Sequence, residues 1–69
     1  MAKTESQTEF FESIVEDPNI PETQFVLFFS MAYAENDGDP DAQLRLLDLA
    51  QKHRPALEGK IARVVIRGR

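Results

Sequence analysis

Prolines and glycines break this chain into short segments, and their spacing limits what the chain can fold into. The breaks fall in the stretches EDPNIPE at 16–22, NDGDP at 36–40 and HRP at 53–55. A proline inside a helix removes a hydrogen bond, and it biases the preceding residue away from helical geometry. Because the segments between the breaks have mostly helical patterns, the sequence predicts an all-α fold. We expect three helices and a short fourth in one small bundle over residues 1–69.

The first two helices are expected on either side of the first break. The overlapping stretches TESQ and SQTE both fit a capping box, which predicts a first helix over about residues 4–16. Asn19 is expected to cap the second helix, which spans about residues 21–34 and takes Pro21 in its first turn. The apolar residues that share one face of the first helix are Phe10, Phe11, Ile14 and Val15.

The third and fourth segments follow the second break. The run LRLLDLA at 44–50 consists mostly of strong helix formers and predicts a third helix over about residues 40–53. The apolar residues of the last segment recur at helical spacing, which favours a fourth helix through about Val65. However, RVVIR at 63–67 contains three β-branched residues in a row, so a short strand is the alternative there.

The stretch AENDGDPDAQ at 34–43 resembles a calcium-binding loop, because Asp37, Asp39 and Asp41 alternate with other residues. The resemblance fails at two required positions, where Ala42 replaces the glycine of the sharp turn and Asp48 replaces the bidentate glutamate. A connector between two helices fits better. In that interpretation Asn36 and Gly38 take positive φ angles, Asp39 caps the third helix and Pro40 begins it.

The second helix carries FVLFFSMAYA at 25–34, which is apolar on nearly every side. Such a helix is usually buried all round. A core this small supplies only roughly 3–5 kcal/mol, and the chain has no cysteine to form a disulfide. The sequence therefore predicts a homodimer that completes the bundle, with an oligomer interface at Phe25, Phe28, Phe29 and Tyr33.

Charge is distributed unevenly along the chain, which has a net charge of −4. Residues 1–41 contain ten acids and one base, whereas residues 52–69 contain six bases and one acid. Such asymmetry is typical of surfaces that bind partners, although the two ends could also pair with each other. The partner-binding residues predicted at the basic end are Lys52, His53, Arg54, Lys60, Arg63, Arg67 and Arg69. Those predicted on the acidic face are Glu5, Glu9, Glu12 and Glu16.

Several classes of function are disfavoured by the composition. A single histidine and no cysteine make a zinc site unlikely to form, and no nucleophile, metal or phosphate-loop motif surrounds the remaining polar residues. We therefore expect no enzyme activity and no cofactor or metal. The N-terminal stretch lacks the apolar run of a signal peptide, and the longest apolar run, 25–29, is far too short to span a membrane. A cytoplasmic protein without membrane contact is expected.

The function that the sequence favours is a small non-enzymatic interaction or regulatory module. It would act as an adaptor or inhibitor that binds another protein through charged helix faces around an apolar patch. The alternative is an accessory protein that holds nucleic-acid phosphates with its basic end. The net acidity, and the lack of aromatic residues among the basic ones, favour the protein partner.

Overall fold

The computed structural model describes residues 6–67, which form four α-helices. These are α1 (Gln7–Ile14), α2 (Glu22–Glu35), α3 (Pro40–His53) and α4 (Glu58–Arg67), and a single 3-10 turn at Pro55–Leu57 leads into α4. The predicted all-α class is confirmed for the described residues, which contain no strand. The strand alternative at residues 63–67 is thereby excluded. None of these helices is both long and apolar enough to cross a membrane.

Helix α1 begins at the second of the two predicted capping stretches. The hydroxyl oxygen of Ser6 accepts a hydrogen bond from the backbone N–H of Glu9 at 3.0 Å, and the same hydroxyl donates to the Glu9 carboxylate at 3.3 Å. Thr4, in the first stretch, lies outside the described residues. The helix ends at Ile14, two residues before the predicted end, ahead of the turn in which the N–H of Asp17 donates to the Ile14 carbonyl at 3.0 Å.

The predicted cap of α2 is wrong. The N-cap residue is Pro21, which makes no side-chain capping bond, and Asn19 lies in the preceding turn. In that turn the carboxylate of Asp17 accepts from the backbone N–H of Asn19 at 2.9 Å, as in an Asx turn. Asn19 is thus held by Asp17, two residues away from the position that a cap would need.

The connector between α2 and α3 follows the prediction at three of its four positions. Gly38 has a φ angle of +92°, the Asp39 carboxylate accepts from the N–H of Ala42 at 3.2 Å, and Pro40 is the first residue of α3. Asn36, however, has a φ of −98°, so Gly38 alone supplies the left-handed position. Because α3 runs without interruption through Asp48, the stretch has the geometry of a helix start and not of a calcium loop.

The core is built around α2, which packs against α1, α3 and α4. Phe11, Phe25, Phe29 and Ile61 are completely buried. The ring of Phe11 meets those of Phe25 and Phe29 edge-on, with centroids 5.4 and 5.8 Å apart. Val15, Ala32, Leu46, Ala50 and Leu57 complete the buried cluster.

Helix α2 is not buried all round within the single chain. Leu27 and Met31, four residues apart, keep 53% and 39% of their surface exposed. Phe25 and Phe29 are fully covered within the single chain, so they have no surface to offer a second copy. Phe28 and Tyr33 of the predicted interface are half-buried. The neighbouring helices cover one side of α2 and leave its opposite side open. The homodimer itself stays a prediction.

Candidate interaction surface

A groove runs between α2 and α4 on the outside of the bundle. It consists of two adjoining hollows of about 340 and 400 Å³ that share Val64 and Arg67. We call this surface the α2–α4 groove. The residues of the two helices that line it include Thr23, Val26 and Ser30 of α2 and Lys60, Arg63, Val64 and Arg67 of α4. One acid also lines each hollow, Glu22 the smaller and Asp37 the larger. The groove therefore has an apolar part and, along α4, a basic edge.

The basic edge follows from the spacing of three cations on one helix. Lys60, Arg63 and Arg67 are three and four residues apart on α4, so they lie along one side of it and all line the groove. Lys60 forms an ion pair with Glu22 at the start of α2. That pair is the single ion pair among residues 6–67, so no close carboxylate of this part of the chain neutralises Arg63 or Arg67.

Arg54, predicted at the same basic end, has a different role. Its Nη2 donates hydrogen bonds to the backbone carbonyls of Asp17 at 3.1 Å and Ile20 at 2.8 Å. Its guanidinium carbon lies 4.7 Å from the ring centroid of Phe25, within range of a cation–π interaction. Arg54 thus ties the loop between α1 and α2 to the end of α3.

The other predicted basic residues do not join the groove. Lys52 is exposed and lines a hollow between α1 and α3 together with Glu12 and Asp48. His53 is half-buried at the end of α3, and Arg69 lies outside the described residues. The described residues of the predicted basic end therefore lie in three different places. Lys60, Arg63 and Arg67 line the groove, Arg54 bonds to the α1–α2 loop, and Lys52 and His53 lie at the end of α3.

The acidic face of α1 is exposed. Glu9, Glu12 and Glu16 share one side of that segment by their spacing, and all three side chains are open to solvent. Glu5, the fourth member, lies outside the described residues. The ion pair of Lys60 is made with Glu22, so none of these three acids neutralises the groove edge.

The acid with the most hydrogen bonds is Glu35, which the sequence did not single out. Its carboxylate accepts from the backbone N–H groups of Gln7 at 3.0 Å and Thr8 at 2.9 Å, and from the Thr8 hydroxyl at 2.7 Å. Asn36 donates to the Thr8 hydroxyl oxygen at 2.6 Å. The Thr8 bonds, and then the one from Gln7, lower the pKa of Glu35. No local pattern could reveal a cap supplied from 27 residues away.

A second apolar surface lies between α3 and α4. Leu44 is 63% exposed and Ile66 is 70% exposed, and the half-buried Leu47 and Val65 complete what we call the α3–α4 patch. Leu44, Leu47 and Val65 line a shallow hollow of about 240 Å³, and none of its lining residues is charged. The two surfaces therefore differ in their electrostatics.

Residues 6–67 therefore form a small all-helical fold with an open groove that has an apolar part and a basic edge. Within residues 6–67, no three histidine, aspartate or glutamate side chains come together in a way that could hold a metal ion. The chain matches no family model, and no curated protein or solved structure shows a significant match to it.

Proposed function

We propose that this protein is a non-enzymatic interaction or regulatory module of the cytoplasm, which binds another protein through the α2–α4 groove. The observation that carries the proposal is a groove that combines apolar side chains with cations. The half-buried Val26 and Val64 form its apolar part, and Arg63 and Arg67, which have no ion-pair partner among residues 6–67, line it from α4. Exposed apolar surface rimmed by polar groups is typical of protein-binding sites.

The proposed homodimer is assigned to the α3–α4 patch. In a two-fold dimer each surface meets a copy of itself, so an interface without like charges is favoured. The hollow at Leu44, Leu47 and Val65 meets that condition, and Ile66, which follows Val65 in the chain, is 70% exposed. A dimer formed there leaves the α2–α4 groove free for the partner.

Nucleic-acid binding is the alternative, and the internal roles of two cations weigh against it. Arg54 is bonded to the α1–α2 loop, and Lys60 is paired with Glu22. These contacts reduce the number of cations that can neutralise phosphates, and the affinity for nucleic acid depends on that number.

The experiment that tests the proposal is affinity capture from lysate of the native host, with nuclease-treated and untreated lysate compared. The wild-type chain is compared with a Val26→Thr/Val64→Thr variant, which makes the apolar part of the groove polar with side chains of the same shape. The matched control is Leu44→Ser, which alters the other apolar surface. We expect one or more proteins to be retained by the wild type and the control, and to be lost from the groove variant. Equal retention by all three chains, or retention that requires nucleic acid, would refute the proposal.

A further inference from the structure

The two arginines of the groove edge repel each other. Arg63 and Arg67 are four residues apart on α4, and like charges at that spacing repel each other along a helix. Neither arginine has an ion-pair partner among residues 6–67. A pair of carboxylates from another molecule would attract both arginines and offset the repulsion between them.

The length of the groove indicates how long a segment could bind in it. Its hollows extend from Glu22 and Lys60 at one end to Ala34 and Arg67 at the other. Twelve residues of α2 separate Glu22 from Ala34, which corresponds to about 18 Å of helix. A partner helix of about three turns has this length and would place apolar side chains against Val26 and Val64.

We infer that the α2–α4 groove binds an amphipathic helix of another protein whose apolar stripe is flanked by glutamate or aspartate. This inference rests on the proposed function and names the chemistry of its partner. The stripe would cover Val26 and Val64, and the flanking carboxylates would pair with Arg63 and Arg67. Charge complementarity at such a rim selects the partner and speeds association.

Two other occupants fit the same surface less well. A second copy placed groove to groove with α4 against α4 would bring the two Arg63–Arg67 edges together, and these like charges would repel. A nucleic acid would place phosphates over the apolar side chains of Val26 and Val64, which cannot form hydrogen bonds with them.

Fluorescence anisotropy with two synthetic helical peptides tests the inference. Both peptides have about 14 residues and carry leucines one turn apart. One peptide has glutamates flanking the leucines, and the other has lysines at the same positions. We expect the acidic peptide to bind the wild-type chain about tenfold more tightly at low salt. Equal binding of the two peptides would overturn the inference.

Charge-reversal variants locate the binding. In Arg63→Glu/Arg67→Glu the preference is expected to invert in favour of the lysine peptide. The matched control, Arg45→Glu, changes an exposed arginine of α3 outside the groove and should leave the preference unchanged. Circular dichroism confirms that each variant is folded, and Arg63→Gln/Arg67→Gln replaces the reversal variant if it is not. An unchanged preference in the groove variants, or inversion by Arg45→Glu, would contradict the assignment.

Two further measurements separate the competing outcomes. Duplex DNA that binds more tightly than the acidic peptide and depends on the same arginines would replace the inference with the nucleic-acid alternative. In the lysate experiment, a protein that is still retained by Arg63→Glu/Arg67→Glu would refute the acidic helix while leaving the proposed function standing. If even the wild-type chain captures no protein specifically, the proposed function itself is refuted.

Discussion

Replacement of Arg54 tests whether the basic end of the sequence is a binding surface or part of the framework. The change is Arg54→Met, which keeps an unbranched apolar stem over the Phe25 ring but removes the charge and every hydrogen-bond donor of the side chain. The two hydrogen bonds to Asp17 and Ile20 and the cation–π contact are lost together.

The expected magnitude follows from these three contacts. Each hydrogen bond has a charged donor, which in general contributes about 1.5–3 kcal/mol, and the cation–π contact at a partly exposed site adds about 0.5–1 kcal/mol. Because Arg54 is only half-buried and the freed carbonyls can bond to water, we expect a loss of about 2 kcal/mol in the free energy of unfolding. For a domain of this size that loss lowers the melting temperature by roughly 8–16 °C.

Urea and thermal unfolding, followed by circular dichroism at 222 nm, measure this change. Arg54→Lys is an informative intermediate, because it keeps the charge but lacks the planar guanidinium that lies over the Phe25 ring. Arg63→Met is the control, since Arg63 has no ion-pair partner among residues 6–67 and its replacement should leave stability nearly unchanged. If Arg54→Met is as stable as the wild type to within about 0.5 kcal/mol, the framework role is refuted.

Three further predictions concern stability. Glu35→Gln should lower the free energy of unfolding at neutral pH, because hydrogen bonds hold the pKa of Glu35 below its ordinary value of 4.5. The difference in stability between the wild type and the variant should be complete above pH 4.5 and should disappear as the pH falls through the lowered pKa. Urea unfolding across a pH series measures this difference. Asp39→Ala should cost about 1 kcal/mol through loss of the α3 cap, whereas Asp41→Ala, in the first turn, should cost less in the same unfolding assay. Phe29→Ala should cost about 3–5 kcal/mol, which equals the stability of so small a core, so its circular dichroism should show a largely unfolded chain; a cooperative, native-like melt would contradict this.

A further prediction concerns the dimer. Leu44→Ser/Ile66→Ser removes the exposed apolar side chains of the α3–α4 patch without touching the buried core. Sedimentation velocity should show a dimer for the wild type and a monomer for the variant; a wild-type chain that is monomeric at high concentration would exclude the proposed dimer.

The helices were predictable because their signals are local. Gly38, Asp39 and Pro40 specify the end of α2 and the start of α3 through backbone geometry and a short-range cap. The exact start of α1 could not be predicted, because two overlapping stretches both fit a capping box. The structure shows that the second stretch caps the described helix. Asn19 was misassigned for a related reason: its spacing to Glu22 fits a cap, but the nearer Asp17 carboxylate engages its backbone instead.

The roles of the charged residues were not predictable in the same way. Arg54, Lys60 and Arg63 look alike in the sequence, yet one is bonded to a loop, one is ion-paired and one has no ion-pair partner among residues 6–67. Their roles differ because different residues from distant segments lie next to each of them. Which residues these are depends on how α2 packs against its neighbours. Glu35 illustrates the same limit, since its partners Gln7 and Thr8 belong to another helix.

The sequence by itself thus determined the helical class, the number of helices and the connector at residues 36–40, because these depend on interactions within a few residues. The tertiary structure alone decided that Phe25 and Phe29 are covered by their own chain, while Leu27 and Met31 remain open to solvent. All four residues are apolar and lie within two turns of one helix, so composition could not separate them. The positions of α1, α3 and α4 around α2 determine which of its sides is core and which is surface.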